Sequence, residues 1–234
     1  MGGLEGDRTA APAAGAPVLR CENLTLRAGG QEIVRDLSFS ARPGDKILLY
    51  GPSGSGKSSI VKALLGFMPI AEGTFYYRGA PVSERDFWTV RREVGYVPQN
   101  PDIGEGSLRS LVDSVFSFQA NPSRPSDERI EELFRIFGLD PDHLTKNFSD
   151  LSGGEKQRAA LALVLLLDRD ILFLDEITSA LDGEMKLKVV DYILGLEAVT
   201  RLIISHDDEW KRSGGLTVVP LELPAAAAQA GGAP

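Results

Sequence analysis

The sequence predicts an α/β fold in which a mixed sheet surrounds a phosphate-binding loop, with an antiparallel β lobe and an inserted helical subdomain. Three observations support this prediction. An apolar run over residues 46–50 leads into a glycine-rich stretch at 51–58 that continues as a helix. Segments of alternating polarity on either side of Gly29-Gly30 indicate an antiparallel hairpin. Between about 100 and 160 the periodicity becomes helical, which indicates helices inserted into an α/β core.

The stretch at 51–58 has the G-x-x-x-x-G-K-[ST] spacing of a phosphate-binding loop. Its glycines let backbone N–H groups approach phosphate oxygens, and the following helix directs its positive end at the same oxygens. We expect Lys57 to bridge the β- and γ-phosphates of a nucleotide and the Ser58 hydroxyl to ligate Mg²⁺. An ordinary glycine turn is the alternative, but the order of strand, loop and helix opposes it. The predicted nucleotide-binding residues of this loop are Gly51, Pro52, Ser53, Gly54, Ser55, Gly56, Lys57, Ser58 and Ser59.

Local patterns predict the other elements in chain order. Continuous apolar runs are typical of buried parallel strands, and alternating runs of half-buried strands. Apolar residues at helical spacing over 127–137 predict a helix that Ser126 caps. The predicted strands cover residues 18–26, 33–40, 46–50, 74–77, 94–97, 171–174, 201–205 and 216–219, and the helix after the phosphate loop covers 58–65.

The strand at 171–174 ends in two carboxylates, Asp175 and Glu176. Sheets of this kind bind ligands at the carboxyl ends of their parallel strands. We expect Asp175 to hold Mg²⁺, a hard cation that prefers oxygen ligands and keeps several waters. The alternative is a solvated Asp-Glu turn, which an intact phosphate loop in the same chain disfavours.

A second glycine-rich stretch, Leu151-Ser152-Gly153-Gly154-Glu155-Lys156-Gln157, also opens a helix. It therefore offers another set of backbone donors to an anion. Ser152 and Glu155 also have the spacing of a capping box, so the same residues fit an ordinary helix start.

With both glycine-rich stretches present, the chain resembles the ATP-binding subunits of ABC transporters, whose signature is LSGGQ or, as here, LSGGE. The resemblance covers about residues 18–224 and implies a P-loop NTPase fold of the ABC type that hydrolyses ATP with Mg²⁺. It implies that Glu176 polarises the attacking water, that His206 contacts the γ-phosphate, and that Gln99 reaches Mg²⁺ and the water. The resemblance thus implies catalytic roles for Glu176, His206, Gln99 and Lys57, and Mg²⁺ ligation by Ser58, Gln99 and Asp175.

The same resemblance implies a head-to-tail dimer, formed with a second copy or with a paired ATPase subunit. Ser152, Gly153 and Gly154 would contact the γ-phosphate bound by the other subunit. Asp182, in the loop 179–182, would touch that subunit and contribute to the nucleotide site. A monomer would then bind nucleotide but hydrolyse it poorly, because charge developing on the transferred phosphoryl group would lack stabilising donors.

Two positions depart from most of the family. Where relatives carry an aromatic residue that stacks on adenine, this chain has Arg27 and Ala28. The guanidinium of Arg27 can stack on a base, and we expect weaker discrimination between ATP and GTP. Ile177 stands where most relatives have Pro. The sequence DEITSALD over 175–182 is similar to the corresponding stretch of short ATP-binding subunits associated with iron export.

Composition limits the partners and the location. A net charge of −8 opposes nucleic acid as a partner. The longest apolar run, over 159–167, is far shorter than the roughly 20 residues that span a bilayer. We therefore expect a separate membrane permease subunit and a cytoplasmic location on the inner face of the cell membrane. A soluble ABC ATPase that drives assembly, as in iron–sulfur cluster biogenesis, is the alternative.

Some residues carry no predicted chemistry. The single Cys21 fits a reducing compartment. His143 lies in an Asp-Pro-Asp-His turn and is expected on the surface. The Gly-, Ala- and Pro-rich ends, residues 1–17 and 225–234, are expected to be disordered tails around an ATP-binding domain at 18–224.

Overall fold

Two sheets of different type build the protein, whose computed structural model describes residues 16–212 and 214–223. One sheet is antiparallel with strand order β2-β1-β4-β5, and the other is parallel with order β6-β7-β8-β3-β9. The strands are β1 (Leu19–Ala28), β2 (Gln31–Ala41), β3 (Lys46–Tyr50), β4 (Glu72–Tyr77), β5 (Ala80–Pro81), β6 (Val94–Val97), β7 (Ile171–Asp175), β8 (Thr200–Ser205) and β9 (Leu216–Pro220). The helices are α1 (Lys57–Leu64), α2 (Phe87–Glu93), α3 (Leu108–Ser117), α4 (Asp127–Ile136), α5 (Gly153–Leu166) and α6 (Gly183–Gly195).

The antiparallel sheet contains the predicted hairpin. Strands β1 and β2 pair from Leu19 opposite Ala41 to Ala28 opposite Gln31. The turn between them consists of Gly29 and Gly30, which both have positive φ, at 57° and 79°. Glycine tolerates this conformation without steric cost, which explains why the chain reverses there.

The parallel sheet brings three chain segments to one edge. In register, Tyr50 at the end of β3 lies opposite Ser205 at the end of β8, and Asp175 at the end of β7 lies opposite Ile204. Every residue of β7 and β8 is buried, which explains their continuous apolar runs. The segments that follow β3, β7 and β8 therefore leave the sheet side by side.

The segment between β6 and β7 is helical, as the sequence predicts. It contains α3, α4, α5 and two short 3₁₀ helices, Pro141–Thr145 and Phe148–Asp150. Ser126 caps α4 by accepting a hydrogen bond from the Arg129 N–H. Buried residues of this helical segment share one apolar cluster with Leu48 of β3 and Val97 of β6.

Three elements were not predicted: β5, α2 and α6. Strand β5 has only two residues. Helix α2 buries only Val90, so its sequence shows no helical periodicity of apolar residues. Helix α6 does have a start signal, because Asp182 accepts a hydrogen bond from the Met185 N–H.

Among the residues that the structure describes, no helix is both long and apolar enough to cross a membrane. The expected tails lie outside the described residues, apart from 16 and 17.

The phosphate loop packs against the hairpin. At Gly56 φ is 86°, and a Cβ atom there would lie 2.7 Å from Val34 Cγ2 and 2.9 Å from the carbonyl oxygen of Ile33. Gly54 has a similar φ of 84°, but a Cβ atom there would meet nothing within 4 Å. Of these two glycines, only Gly56 therefore combines a left-handed backbone with close contact to β2.

This contrast predicts different costs for two alanine substitutions. We expect Gly54→Ala to lower the free energy of unfolding by about 1 kcal/mol, the cost of left-handed backbone in a non-glycine residue. Gly56→Ala should cost about 1–3 kcal/mol more, because β2 must also move. Urea unfolding of the two variants without nucleotide would measure the difference. Equal losses of stability would contradict the proposed contact with β2.

Candidate functional site

The phosphate loop ends at the start of α1 without a capping side chain. Gly56 occupies the N-cap position in a left-handed conformation and makes no side-chain cap hydrogen bond. The first N–H groups of a helix have no partner within the helix and need an acceptor from elsewhere. With the positive end of the helix dipole, they form a site for an anion such as phosphate.

Two polar groups of this loop are buried with it. The Lys57 side chain is only 6% exposed and donates to the carbonyl oxygens of Gly51, at 2.7 Å, and Pro52, at 2.8 Å. The Ser55 hydroxyl is buried and has no hydrogen-bond partner within the protein. A buried ammonium and an unpaired hydroxyl beside a free helix start fit a phosphate group, which would accept from both.

Ser58 and Asp175 form a pair of oxygen donors at the sheet edge. The Ser58 hydroxyl donates to Asp175 Oδ1 at 3.0 Å. Burial raises the pKa of the Asp175 carboxyl, and the neighbouring charge of Glu176 acts in the same direction. Among the described residues, no cluster of three or more His, Cys, Asp or Glu could hold a metal ion. The pair fits Mg²⁺, which proteins bind through one or two carboxylates together with substrate phosphates and water.

Glu176 lies at the centre of the buried charges. It is buried, and its backbone has a positive φ of 50°, a conformation that is strained for glutamate. Its carboxylate lies 3.4 Å from the Lys57 ammonium. His206 Nδ1 lies 3.0 Å from Glu176 Oε1 and 2.9 Å from Oε2. The structure therefore brings Lys57, Glu176 and His206 together from the ends of three strands.

Sequence reasoning did not identify Asp207, the residue after His206, as part of the site. Asp207 Oδ2 accepts a hydrogen bond from the Thr178 hydroxyl at 2.8 Å and lies 3.0 Å from the Lys186 ammonium. Burial opposes ionisation, yet these two donors hold the pKa of Asp207 below its usual value. Trp210 Nε1 also donates to the Thr178 hydroxyl. Asp207 thus ties the segment after His206 to the segment after Glu176 and to α6, and no local pattern indicates this.

The second glycine-rich stretch forms the start of α5. Ser152 and Glu155 make both hydrogen bonds of a capping box, as their spacing predicts. Ser152 and Gly153 are exposed. Gly154 lies against the loop before α6, since a Cβ atom there would be 3.0 Å from the Ala180 carbonyl oxygen. Asp182, at the end of that loop, is exposed and caps α6.

The predicted site residues thus form two groups. Within 16–212 and 214–223, no hydrogen bond joins the start of α5 to the phosphate loop. Gln99 is exposed two residues beyond β6. Gln157 of α5 donates to the carbonyl oxygen of Pro98 at 3.2 Å and so ties that helix to the residue before Gln99.

Two further residues, Arg27 and His143, make contacts that the sequence did not indicate. Arg27 lies 2.7 Å from Glu72 and 3.8 Å from Glu32, so its guanidinium is held at the end of the hairpin. The expectation that His143 lies on the surface is wrong. Its side chain is 11% exposed, and Nε2 lies 2.9 Å from Glu155 Oε1.

Comparison with known proteins agrees with this architecture. The family model described as ABC transporter matches residues 34–179, more than half of the chain. The probable iron export ATP-binding protein FetA of Escherichia coli (strain K12) is 33% identical over 198 residues, which cover 83% of this chain and 87% of FetA. The energy-coupling factor transporter ATP-binding protein EcfA1 of Lactiplantibacillus plantarum is 34% identical over 214 residues, covering 87% and 75% of the two chains.

Solved structures show the same fold. The cbiO1 protein of Clostridium perfringens, part of the ABC transporter complex cbiONQ, has a TM-score of 0.67 at 23% identity and covers 82% of this chain and 79% of its own. The dimeric structure of MJ0796, a bacterial ABC transporter cassette, has a TM-score of 0.74 at 22% identity and covers 87% and 94%. These findings confirm the predicted fold class. The chain belongs to the ABC transporter family and is an ATP-binding subunit of that family, an ATPase.

Proposed function

We propose that the chain hydrolyses ATP at a site formed between two subunits. The main support for this proposal is the separation of the site residues into two groups. The phosphate loop, Asp175, Glu176 and His206 form one group, whereas the start of α5 lies apart with exposed Ser152 and Gly153. Two copies arranged head to tail would place each α5 start against the nucleotide of the other copy. The solved structure of the MJ0796 cassette is dimeric, which supports this arrangement.

Each half of the site has its own task in this proposal. Lys57 and the N–H groups at the start of α1 hold the β- and γ-phosphates. Ser58, Asp175 and Gln99 would hold Mg²⁺, which would neutralise charge on the phosphate oxygens. Backbone donors from Ser152, Gly153 and Gly154 of the opposite subunit stabilise charge on the transferred group, and Asp182 contacts that subunit. The remaining loop residues Gly51, Pro52, Ser53, Gly54, Ser55, Gly56 and Ser59 shape the phosphate cradle.

Glu176 accepts the proton of the attacking water. Its carboxylate lies 3.4 Å from the Lys57 ammonium, which also donates to two backbone carbonyls. Phosphate oxygens would compete for Lys57 and leave the Glu176 carboxylate free to bind water. His206 orients that carboxylate through Nδ1, and its half-exposed side chain would contact the γ-phosphate.

Glu176→Gln tests this role. The variant should bind ATP, because the phosphate cradle is intact, but its turnover should fall at least a hundredfold without a proton acceptor. The ATP-bound dimer should accumulate and be visible by size-exclusion chromatography. Glu132→Gln on the exposed face of α4 is the matched control and should keep full activity. Near-normal turnover of Glu176→Gln would exclude the catalytic role.

Arg27 bears on base selectivity. Its guanidinium is held by Glu72 and Glu32 at the hairpin end, where it offers a flat cationic surface but no aromatic ring. We propose that the base is bound by this surface with little preference between ATP and GTP. Competition binding should give dissociation constants for the two nucleotides within about fivefold. A strong ATP preference that Arg27→Ala leaves unchanged would contradict the proposal.

We further propose that the chain powers a separate membrane permease and lies on the cytoplasmic face of the membrane. The names of FetA, EcfA1 and cbiO1 all describe parts of transport systems, which supports the proposal.

A groove between α2 and the segment after α3 offers a docking surface for such a permease. Trp88 and Phe118 on this groove are 62% and 61% exposed, although both are large and apolar. Arg91, Arg92 and Arg169 also line the groove.

The composition of the groove specifies its occupant. Aromatic side chains at an exposed surface favour an apolar helix face, and three arginines favour carboxylates beside it. We therefore propose a permease segment that combines apolar and acidic residues. The chain as a whole is acidic, with a net charge of −8, so this local cluster of arginines stands out from the overall charge.

Affinity capture from detergent-solubilised membranes of the native host tests the partner. Tagged Glu176→Gln with ATP should recover a polytopic membrane protein, and the double variant Trp88→Ala/Phe118→Ala should lose most of it. Leu187→Ala, an exposed apolar residue of α6, is the control and should retain capture. Recovery of soluble partners only would favour an assembly ATPase, such as one for iron–sulfur clusters, instead.

We propose iron as the exported solute. The DEITSALD sequence over 175–182 and the 33% identity with FetA support iron as the solute. The similarity to EcfA1 supports a transporter without indicating iron. Host cells that express the wild-type chain should lose radioactive iron faster than cells that express Glu176→Gln. Equal rates of iron loss, with faster loss of another solute, would exclude iron.

A further inference from the structure

His143 is placed between two acceptors at the edge of the helical segment. Its Nδ1 lies 3.2 Å from the Asp140 carbonyl oxygen, and its Nε2 lies 2.9 Å from Glu155 Oε1. The Lys146 ammonium is 3.2 Å from the same Nε2. The ring is 11% exposed, so it is held in one orientation rather than extended into solvent. Its contacts with Asp140 and Lys146 are local, but Glu155 belongs to a different element.

Glu155 uses both of its carboxylate oxygens. Oε1 faces His143, whereas Oε2 accepts a hydrogen bond from the Ser152 backbone N–H at 2.8 Å. The Ser152 hydroxyl in turn accepts from the Glu155 N–H at 3.3 Å. The Ser152 backbone and side chain, followed by His143, lower the pKa of Glu155 to about 2, so this carboxylate remains ionised at neutral pH. With the ring proton on Nε2, His143 donates to Glu155, and His143, Glu155 and Ser152 form one continuous hydrogen-bonded chain. In that tautomer Nε2 does not accept from the Lys146 ammonium.

The segment that carries His143 is itself fixed. His143 lies in the 3₁₀ helix Pro141–Thr145, and the carbonyl oxygen of Lys146 accepts from the Leu108 N–H at 3.0 Å. Ser107 and Asn147 form an isolated antiparallel bridge beside it. The imidazole thus projects from a segment attached to the start of α3. It can restrict where the Glu155 carboxylate lies.

We propose that His143 is a positioning residue for ATP hydrolysis, which acts through Glu155 to fix Ser152 and the first turn of α5 for the opposite subunit's nucleotide. This inference rests on the proposed two-subunit site. A capping box without a third partner leaves the glutamate side chain free to adopt other rotamers, and an exposed N-terminal turn then loosens. His143 removes that freedom where Ser152 and Gly153 are exposed for contact.

ATP-dependent dimerisation in the Glu176→Gln background tests the inference, with analytical ultracentrifugation as the measurement. His143→Ala should raise the dissociation constant of the ATP-bound dimer by roughly tenfold, the expected effect of losing a hydrogen bond to a charged group. His143→Gln, whose amide can replace Nε2, should stay within about threefold of the parent. ATP affinity of the monomer should not change, because the phosphate loop belongs to the same subunit.

A double-mutant cycle distinguishes positioning from a general loss of structure. If His143 acts through Glu155, His143→Ala should add nothing to the effect of Glu155→Ala. Thr145→Ala removes a local hydrogen bond of the same 3₁₀ helix, to the Asp142 carbonyl oxygen, and should leave dimerisation unchanged. An unchanged dimer in His143→Ala, or additive effects in the cycle, would overturn the inference about His143.

The same experiment separates this inference from the proposed function. A parent variant that forms no dimer with ATP would overturn the two-subunit site, and the role of His143 with it. A parent that dimerises while His143→Ala dimerises equally well would overturn the role of His143 alone.

Discussion

The parallel register of β3, β7 and β8 is the constraint on which the site depends. Because parallel strands end at one edge, three segments far apart in the chain leave the sheet together. The first becomes the phosphate loop, the second begins with Glu176, and the third begins with His206. Burial of all three strands holds this edge rigid, since the interior is close-packed and a strand cannot shift alone.

That edge concentrates charge where solvent is excluded. Lys57 and Glu176 are both nearly fully buried and lie 3.4 Å apart. Such a pair costs desolvation free energy that its mutual attraction only partly offsets. In the proposed mechanism the pair is functional, because an incoming phosphate would replace Glu176 as the partner of Lys57. The strained backbone of Glu176 fits the same interpretation, since strain of this kind is concentrated at functional sites.

In the proposed two-subunit site, the helical segment presents a helix start to the partner subunit. Its core is continuous with the sheet, so α5 is held firmly at its middle, where residues such as Ala159 and Ala162 are fully buried. Its first turn is exposed and relies on hydrogen bonds instead of packing. The Ala180 carbonyl oxygen approaches Gly154 from the loop before α6, and the Glu155 carboxylate contacts the turn from within it. Local polar contacts therefore determine the geometry of this exposed surface.

The sequence alone determined the features that depend on neighbours in the chain. The phosphate loop, the acidic end of β7, the hairpin turn and the capping box each require a fixed spacing, because backbone conformation and short-range hydrogen bonds are local. Periodicity also located most strands within about two residues. It missed α2, whose single buried residue leaves no pattern to detect.

Only the tertiary structure decided which of these features meet. His206 lies against Glu176, thirty positions earlier, because β8 pairs with β7, and Asp207 joins Thr178 and Lys186 for the same reason. His143 was expected to be a surface residue, yet folding of the helical segment places it against Glu155. Contacts of this type depend on how elements pack, and packing is set by the shape of the whole core. No spacing along the chain encodes them.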